Sequence, residues 1–158
     1  FGLEKVQWYN RPEYWPYILT ISSVWKTVGI NSVIYYASLM GINSEYFEAA
    51  RIDGATKIQI VFYIIIPFLI PLMTILTILS IGNIFRADFG LFYQLTRDIG
   101  TLYITTDVVD TYVYRVMKTV GDMPMSSAVG AVQSVVGFIL IFTTNFIVNK
   151  IEPENALF

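Results

Sequence analysis

Three long apolar runs, separated by one short and one long polar interval, set the plan of this chain. The first, 17–40, holds about 24 residues, or roughly 36 Å of helix, enough to cross a bilayer with some tilt. Within it Ser23, Thr27, Asn31, Tyr35 and Ser38 recur at helical spacing and draw a polar stripe along one face. In lipid, such a stripe faces other helices or a water-filled path. The second run opens β-branched, with Ile58, Ile60, Val61, Ile64, Ile65 and Ile66, and in water would read as a buried strand. Its continuation through 68–79 is too long for one, so length decides for a transmembrane helix over about 62–84. Pro67 and Pro71 are expected to kink its start and turn the chain from the membrane surface into the bilayer. The third run, about 127–148, places Ser127, Gly130, Ala131, Ser134 and Gly137 where helices can approach closely, with Gln133 the odd polar member.

The short interval between the first two runs reads as a polar helix, a glycine turn and a second helix. Ser44 is a plausible N-cap, and Glu45 and Glu48 set negative charge toward the positive end of the helix dipole. Ala49 and Ala50 present almost no side chain, so a partner groove could approach the backbone. Gly54 suits the left-handed position after a helix, where a Cβ is costly. A polar hairpin between membrane spans has no core of its own, and the economical expectation is that it docks into something outside the membrane.

The long interval, 85–125, is rich in Asp, Tyr and turn residues. Phe85, Phe89, Phe92 and Tyr93 are aromatic at near-helical spacing. Thr105-Thr106-Asp107 suggests the N-cap of a helix through Asp110 and Arg115, and Gly121-Asp122-Met123-Pro124 breaks it. Asp107 and Asp110 read as first-turn aspartates facing a helix dipole rather than a hydrolytic pair. Upstream, Trp8, Tyr9, Tyr14 and Trp15 suit a membrane interface or a surface loop.

Composition narrows the function. Only 14% of the 158 residues are charged, against roughly 25% in soluble domains, and mean hydropathy is +0.59. Without cysteine or histidine, disulfides, Cys/His zinc sites and histidine-based triads are excluded. The net charge of −2 gives no basic stripe for nucleic acid. No G-x-x-x-x-G-K-[ST] loop is present to hold ATP. Lys26 stands out inside the first run, where an ammonium costs on the order of 3 kcal/mol. Either it snorkels to the nearer interface or it lines a polar path.

Glu48-Ala49-Ala50, three residues, Gly54, nine residues and then Ile64-x-Ile66-Pro67 resembles the EAA signature of binding-protein-dependent ABC importer permeases, with Ile66 where that pattern usually has Leu. The segments 85–93 and 110–115 and the tail from Asn149 are similar to the subgroup handling oligosaccharides or polysaccharide fragments. The resemblance implies an all-α membrane protein and the C-terminal half of one permease domain covering 1–158, its N-terminal spans absent from this sequence. It implies three transmembrane helices, a cytoplasmic coupling helix-turn-helix at 44–66 and an extracytoplasmic loop at 85–125. Glu48, Ala49, Ala50, Arg51, Asp53 and Gly54 would carry ATPase coupling, and Lys26, Asn31, Tyr35, Asn83, Phe85 and Phe89 are candidates for the carbohydrate pathway. The implied protein is a multi-pass transport subunit of the bacterial cytoplasmic (inner) membrane and not an enzyme. Its implied partners are two ATPase subunits, a second permease, a solute-binding protein and membrane lipid. No cofactor is expected on this chain, ATP and Mg belonging to the ATPase subunits. A permease for amino acids or peptides and a non-transporting membrane subunit are the alternatives. Lys and Arg lean toward the other side, with Arg86, Arg97, Arg115 and Lys118 against Arg51, Lys57 and Lys150, so placing the hairpin in the cytoplasm rests on the resemblance.

Overall fold

A computed structural model of the chain describes residues 7–121 and 123–157, and among these all regular structure is helical. Residues 1–6 of the N-terminal stretch, Asp122 of the break after Gly121, and the terminal Phe158 lie outside the described residues. Three long helical stretches dominate: α1 (Trp15–Met40), a stretch from Lys57 to Gly82, and α8 (Met123–Ile151). The middle one comprises α3 (Lys57–Ile60), a π-helical turn (Val61–Ile65) and α4 (Ile66–Gly82). Pro67 explains the π turn. Proline has no N–H to donate and its ring crowds the carbonyl four residues back, so the helix widens just before it. Ile66 N–H accordingly reaches Val61 O, five residues back.

Lys57–Gly82 and Met123–Ile151 are long and apolar enough to cross a membrane, with only 6% and 11% of their most apolar windows buried inside the chain. A core helix of a water-soluble domain hides such a surface; here Phe68, Met73, Val135, Phe142 and Phe146 all face outward. At 26 residues α1 is also long enough, but its polar stripe keeps it below the apolarity of the other two. That stripe is partly self-satisfied: the Thr27 hydroxyl donates to Ser23 O of its own helix at 2.9 Å. Thr77 and Ser80 in α4 do the same to Met73 O and Leu76 O.

The contacts divide the chain into two compact units, to which α1 and α8 both contribute. The first comprises the segment ending at Thr27 together with Asn83–Gly137. Its short helices are α5 (Phe89–Thr96), α6 (Tyr103–Thr106) and α7 (Val109–Val120). The core is Trp15, Leu19 and the fully buried Leu102, against which Tyr9, Leu91, Phe92, Leu95 and Ile99 pack. Trp15 is therefore a core residue rather than an interfacial one. Its indole N–H donates to Trp8 O at 2.9 Å, while Tyr9 O–H donates to Leu95 O and the Thr105 hydroxyl to Pro12 O. The N-terminal aromatic stretch is thus bolted to 95–105. The α7 cap also differs from expectation. Thr106 ends α6, and α7 begins at Val109 with the Thr111 hydroxyl accepting Val108 N–H at 3.1 Å.

The second unit comprises Val28–Gly82 and the chain from Phe138 onward. It contains α2 (Ser44–Ile52), the α3–α4 stretch, the end of α8 and a 3-10 turn, Pro153–Asn155, that lies along Pro67, Ile70 and Pro71. Asn145, 3% exposed near the end of α8, accepts the Leu157 N–H at 2.7 Å and holds the tail down. Losing that acceptor leaves a part-buried donor unpaired, worth about 1–3 kcal/mol. Asn145→Leu is therefore expected to speed cleavage of the tail beyond Ile151 about tenfold in limited proteolysis of the full-length protein. Unchanged cleavage kinetics would sink this role.

Candidate functional site

The hairpin 43–60 is capped by local signals, and Tyr46 of α2 also packs on Phe68 of α4 with ring centroids 5.2 Å apart. Asn43, one residue before the expected Ser44, is the N-cap, its Oδ1 accepting Glu45 N–H at 3.1 Å. Ser44 becomes the first helical residue instead. Glu45 in the first turn and Arg51 in the last complement the α2 dipole. At the other end Gly54 sits at φ 75°. Gly54 N–H bonds to Arg51 O at 3.1 Å and Ala55 N–H to Ala50 O at 2.9 Å, the paired bonds of a Schellman motif. Thr56 then opens α3 through a capping box: Thr56 N–H donates to Gln59 Oε1 at 2.8 Å and Gln59 N–H to Thr56 Oγ1 at 3.4 Å. Glu48, Ala49, Arg51, Asp53 and Gly54 are exposed and Ala50 is half-buried. Ile52 and Ile58, 86% and 70% exposed, flank the turn. The hairpin thus exposes Ile52, Ile58 and Ala49 around its glycine turn.

The connection after α4 is the second site, and it lies wholly in the first unit. Asn83, Phe85 and Lys26 are exposed and Phe89 is half-buried, while Asn31 and Tyr35 belong to the second unit. Residues 85–88 are held at four points. Gln133 Nε2 donates to Phe85 O at 2.8 Å, Arg86 Nη2 to Ser134 Oγ at 2.7 Å, and Ala87 N–H to Asp110 Oδ2 at 2.9 Å. Lys26 Nζ pairs with Asp88 Oδ2. Gln133 is thereby explained, and Asp110, in the first turn of α7 as expected, also clamps a specific backbone N–H. Phe89 stacks on Tyr93 and meets Tyr114, with ring centroids 5.2 and 4.9 Å apart.

Asp88 has two tasks: its Oδ1 caps α5 through Leu91 N–H at 3.0 Å while Oδ2 takes the lysine. The Lys26 hydrogen bond, helped by Leu91 N–H, holds its carboxyl below the usual aspartate range. A lowered pKa contributes above the unfolded value and is lost as pH falls through the folded one, so the pair survives acidification to about pH 4.

Sequence reasoning missed the residue that organises 97–115. Arg115 donates to Asp98 Oδ1 at 2.8 Å and to Asp107 Oδ2 at 2.6 Å, and its guanidinium lies 3.8 Å from the centre of the Tyr103 ring. Asp98 also accepts the Tyr103 hydroxyl at 2.9 Å. Burial, then that bond, push the Tyr103 phenol above its usual range. The only available signal was two arginines among scattered aspartates, which does not say which pairs form.

Residues 7–154 match the family model described as "Binding-protein-dependent transport system inner membrane component". Among curated relatives, the chain is 32% identical over 151 residues to Protein LplB of Bacillus subtilis, covering 96% of this chain and 47% of LplB. It is 29% identical over 154 residues to the B. subtilis polygalacturonan/rhamnogalacturonan transport system permease protein YteP, covering 98% of the chain and 47% of that protein. The structure of a bacterial ABC transporter involved in the import of the acidic polysaccharide alginate superposes with a TM-score of 0.80 at 30% identity, over 96% of this chain and 52% of that one. A bacterial alginate ABC transporter in complex with an alginate pentasaccharide-bound periplasmic protein gives 0.79 at 31% identity, over 95% and 51%. The chain spans about half the length of these relatives. The EAA spacing, the all-helical fold and the family match over nearly all the chain agree: the chain belongs to the family of inner membrane components of binding-protein-dependent transport systems.

Proposed function

We propose that the chain forms the C-terminal half of a permease subunit of an ATP-driven importer for oligosaccharides or polysaccharide fragments. In this reading α1, Lys57–Gly82 and α8 are three membrane crossings of a multi-pass protein of the bacterial inner membrane. The 44–66 segment is its cytoplasmic coupling element, docking into one of two ATPase subunits that hold ATP and Mg. A second permease and an extracytoplasmic solute-binding protein complete the assembly. Transport is alternating access: a two-state permease biased by the binding protein on one side and ATP-driven closure on the other. The carbohydrate assignment is supported by relatives named for polygalacturonan and alginate transport.

The observation that carries this reading is the α2–Gly54–α3 hairpin, locally capped at every end and presenting Ala49, Ile52 and Ile58 outward. Small side chains let a partner approach the helix backbone, and the isoleucines supply apolar area for it to bury. The chain has no cysteine, so Ala50→Cys introduces a single reporter into this segment. In native membranes carrying the full-length protein, a short thiol crosslinker is expected to capture an ATPase subunit from this position. Reactivity toward an outside-only thiol reagent, with no ATPase captured, would overturn both the orientation and the coupling role.

A further inference from the structure

We propose that Lys26 is the group with which this permease recognises acidic sugars: a substrate carboxylate takes the place of Asp88 on its ammonium, in a cleft flanked by Trp25 and Gln94. This deepens the reading of the chain as a saccharide permease and rests on it.

Lys26 is the only charged residue in the whole of α1. A cation placed mid-helix in a membrane protein needs a function or a partner that hides it. Asp88 is a partner but does not hide it, since the two side chains stay 53% and 38% exposed. An open ion pair of this kind contributes little to stability. The Arg115 cluster in the same unit shows the contrast: there the guanidinium is 19% exposed and shared by two carboxylates. One arrangement is closed and structural, the other open on one side.

Asp88 is also arranged so that it can release the lysine. Its Oδ1 remains on Leu91 N–H, capping α5, and only Oδ2 faces Lys26. Exchange therefore trades one carboxylate for another on the ammonium without uncapping the helix, and the three N–H donors of an ammonium can hold both anions during the exchange. A neutral sugar has nothing to trade.

The surroundings fit a saccharide. Lys26, Trp25 and Ser22 lie on one face of α1 and, with Gly90, Leu91 and Gln94 of α5, line a cleft of ≈760 Å³. That lies within the roughly 300–1,000 Å³ of small-molecule sites. The Trp25 indole is 82% exposed, offering a flat apolar face for sugar C–H groups. The Ser22 hydroxyl and Gln94 amide supply hydrogen bonds for ring hydroxyls. All of these residues belong to the first unit.

The test uses the complete importer, full-length permease with its ATPase and binding-protein partners in proteoliposomes. ATPase stimulation is titrated with tetragalacturonate and an alginate tetrasaccharide as acidic probes and with a neutral arabino-oligosaccharide. Lys26→Gln is expected to raise the half-maximal concentration of an acidic probe at least tenfold relative to that of the neutral one. Asp88→Asn, which removes the competing carboxylate while keeping an N-cap, is expected to retain or strengthen the acidic response. The double variant Lys26→Gln with Asp88→Asn separates reader from brace while keeping an N-cap on α5. If Lys26 only braces Asp88, removing both charges restores the acidic response, whereas loss of a reader leaves it lost. Restoration in the double variant, or an unchanged acidic-to-neutral ratio in Lys26→Gln, overturns the proposal. Stimulation of the unaltered importer by the neutral probe alone overturns it too, while leaving the importer reading in place. No stimulation by any saccharide overturns the saccharide reading and this proposal together.

Discussion

Arg115→Leu is expected to loosen the 97–115 segment by about 2–4 kcal/mol, because it strands two carboxylates that now share one guanidinium. Asp98, Asp107 and Arg115 are each more than two-thirds shielded, so water cannot simply replace the lost partner. The turn they hold is itself costly: Arg97 and Asp98 both sit at φ 53°, a left-handed conformation that disfavours residues with a Cβ. Without the Arg115 bond to Asp98, that turn keeps the Tyr103 hydroxyl and the Ile99 N–H bond to Thr96 O. In limited proteolysis of the full-length protein in detergent, cleavage between Arg97 and Asp110 is expected to rise roughly a hundredfold, the ratio that about 2.8 kcal/mol implies. Arg115→Lys, which keeps the charge but reaches one carboxylate at a time, is expected to fall between. Arg115→Leu combined with Asp98→Asn and Asp107→Asn is expected to recover part of the loss, since the cost lies in the unpaired charges. A cleavage pattern in Arg115→Leu identical to that of the unaltered protein would contradict the bracing role.

The elements that were legible in the sequence are those set by local chemistry. The 43–60 hairpin is the best case: Gly54 at positive φ and the polar start of α2 follow from residue types within one turn of each other. The N-cap slipped by one residue because Asn43 and Ser44 are both good caps and only the backbone decides between them. The proline effect was legible as a disturbance, though not its form, since a kink and a π turn relieve the same missing N–H. What could not be read were the long-range pairings. Lys26 and Asp88 are 62 residues apart, Phe85 and Gln133 are 48, and Asn145 meets Leu157 across a helix end. Nothing in hydrophobic periodicity selects one partner among several polar residues. The α1 stripe adds a local contribution. Polarity along a helix face suggests partners elsewhere, yet Thr27 satisfies its hydroxyl on its own backbone.

The same hairpin supplies the other large effect, and two substitutions separate its shape from its docking. Gly54→Val places a β-branched side chain at φ 75°, where no neighbour lies within 4 Å of a Cβ, so the penalty is backbone strain and not a clash. Strain of that kind costs about 1–2 kcal/mol for an ordinary residue and more for a β-branched one. The paired bonds from Gly54 and Ala55 N–H to Arg51 O and Ala50 O would break or distort, and α2 and α3 would lose their fixed angle. Ala49→Trp leaves all of this intact, since Ala49 is exposed on α2. If the hairpin seats in an ATPase groove, the indole blocks the approach that an alanine permits, and transport falls at least a hundredfold with the protein folded and inserted. Gly54→Val is expected to lower transport comparably, but with a hairpin more readily cleaved between Ile52 and Lys57. Substrate uptake, protease sensitivity and ATPase capture through Ala50→Cys, measured on both variants, decide the matter. Full transport in Ala49→Trp would remove this face from the coupling surface, whereas loss of transport and of ATPase capture, at unchanged protease sensitivity, assigns it there.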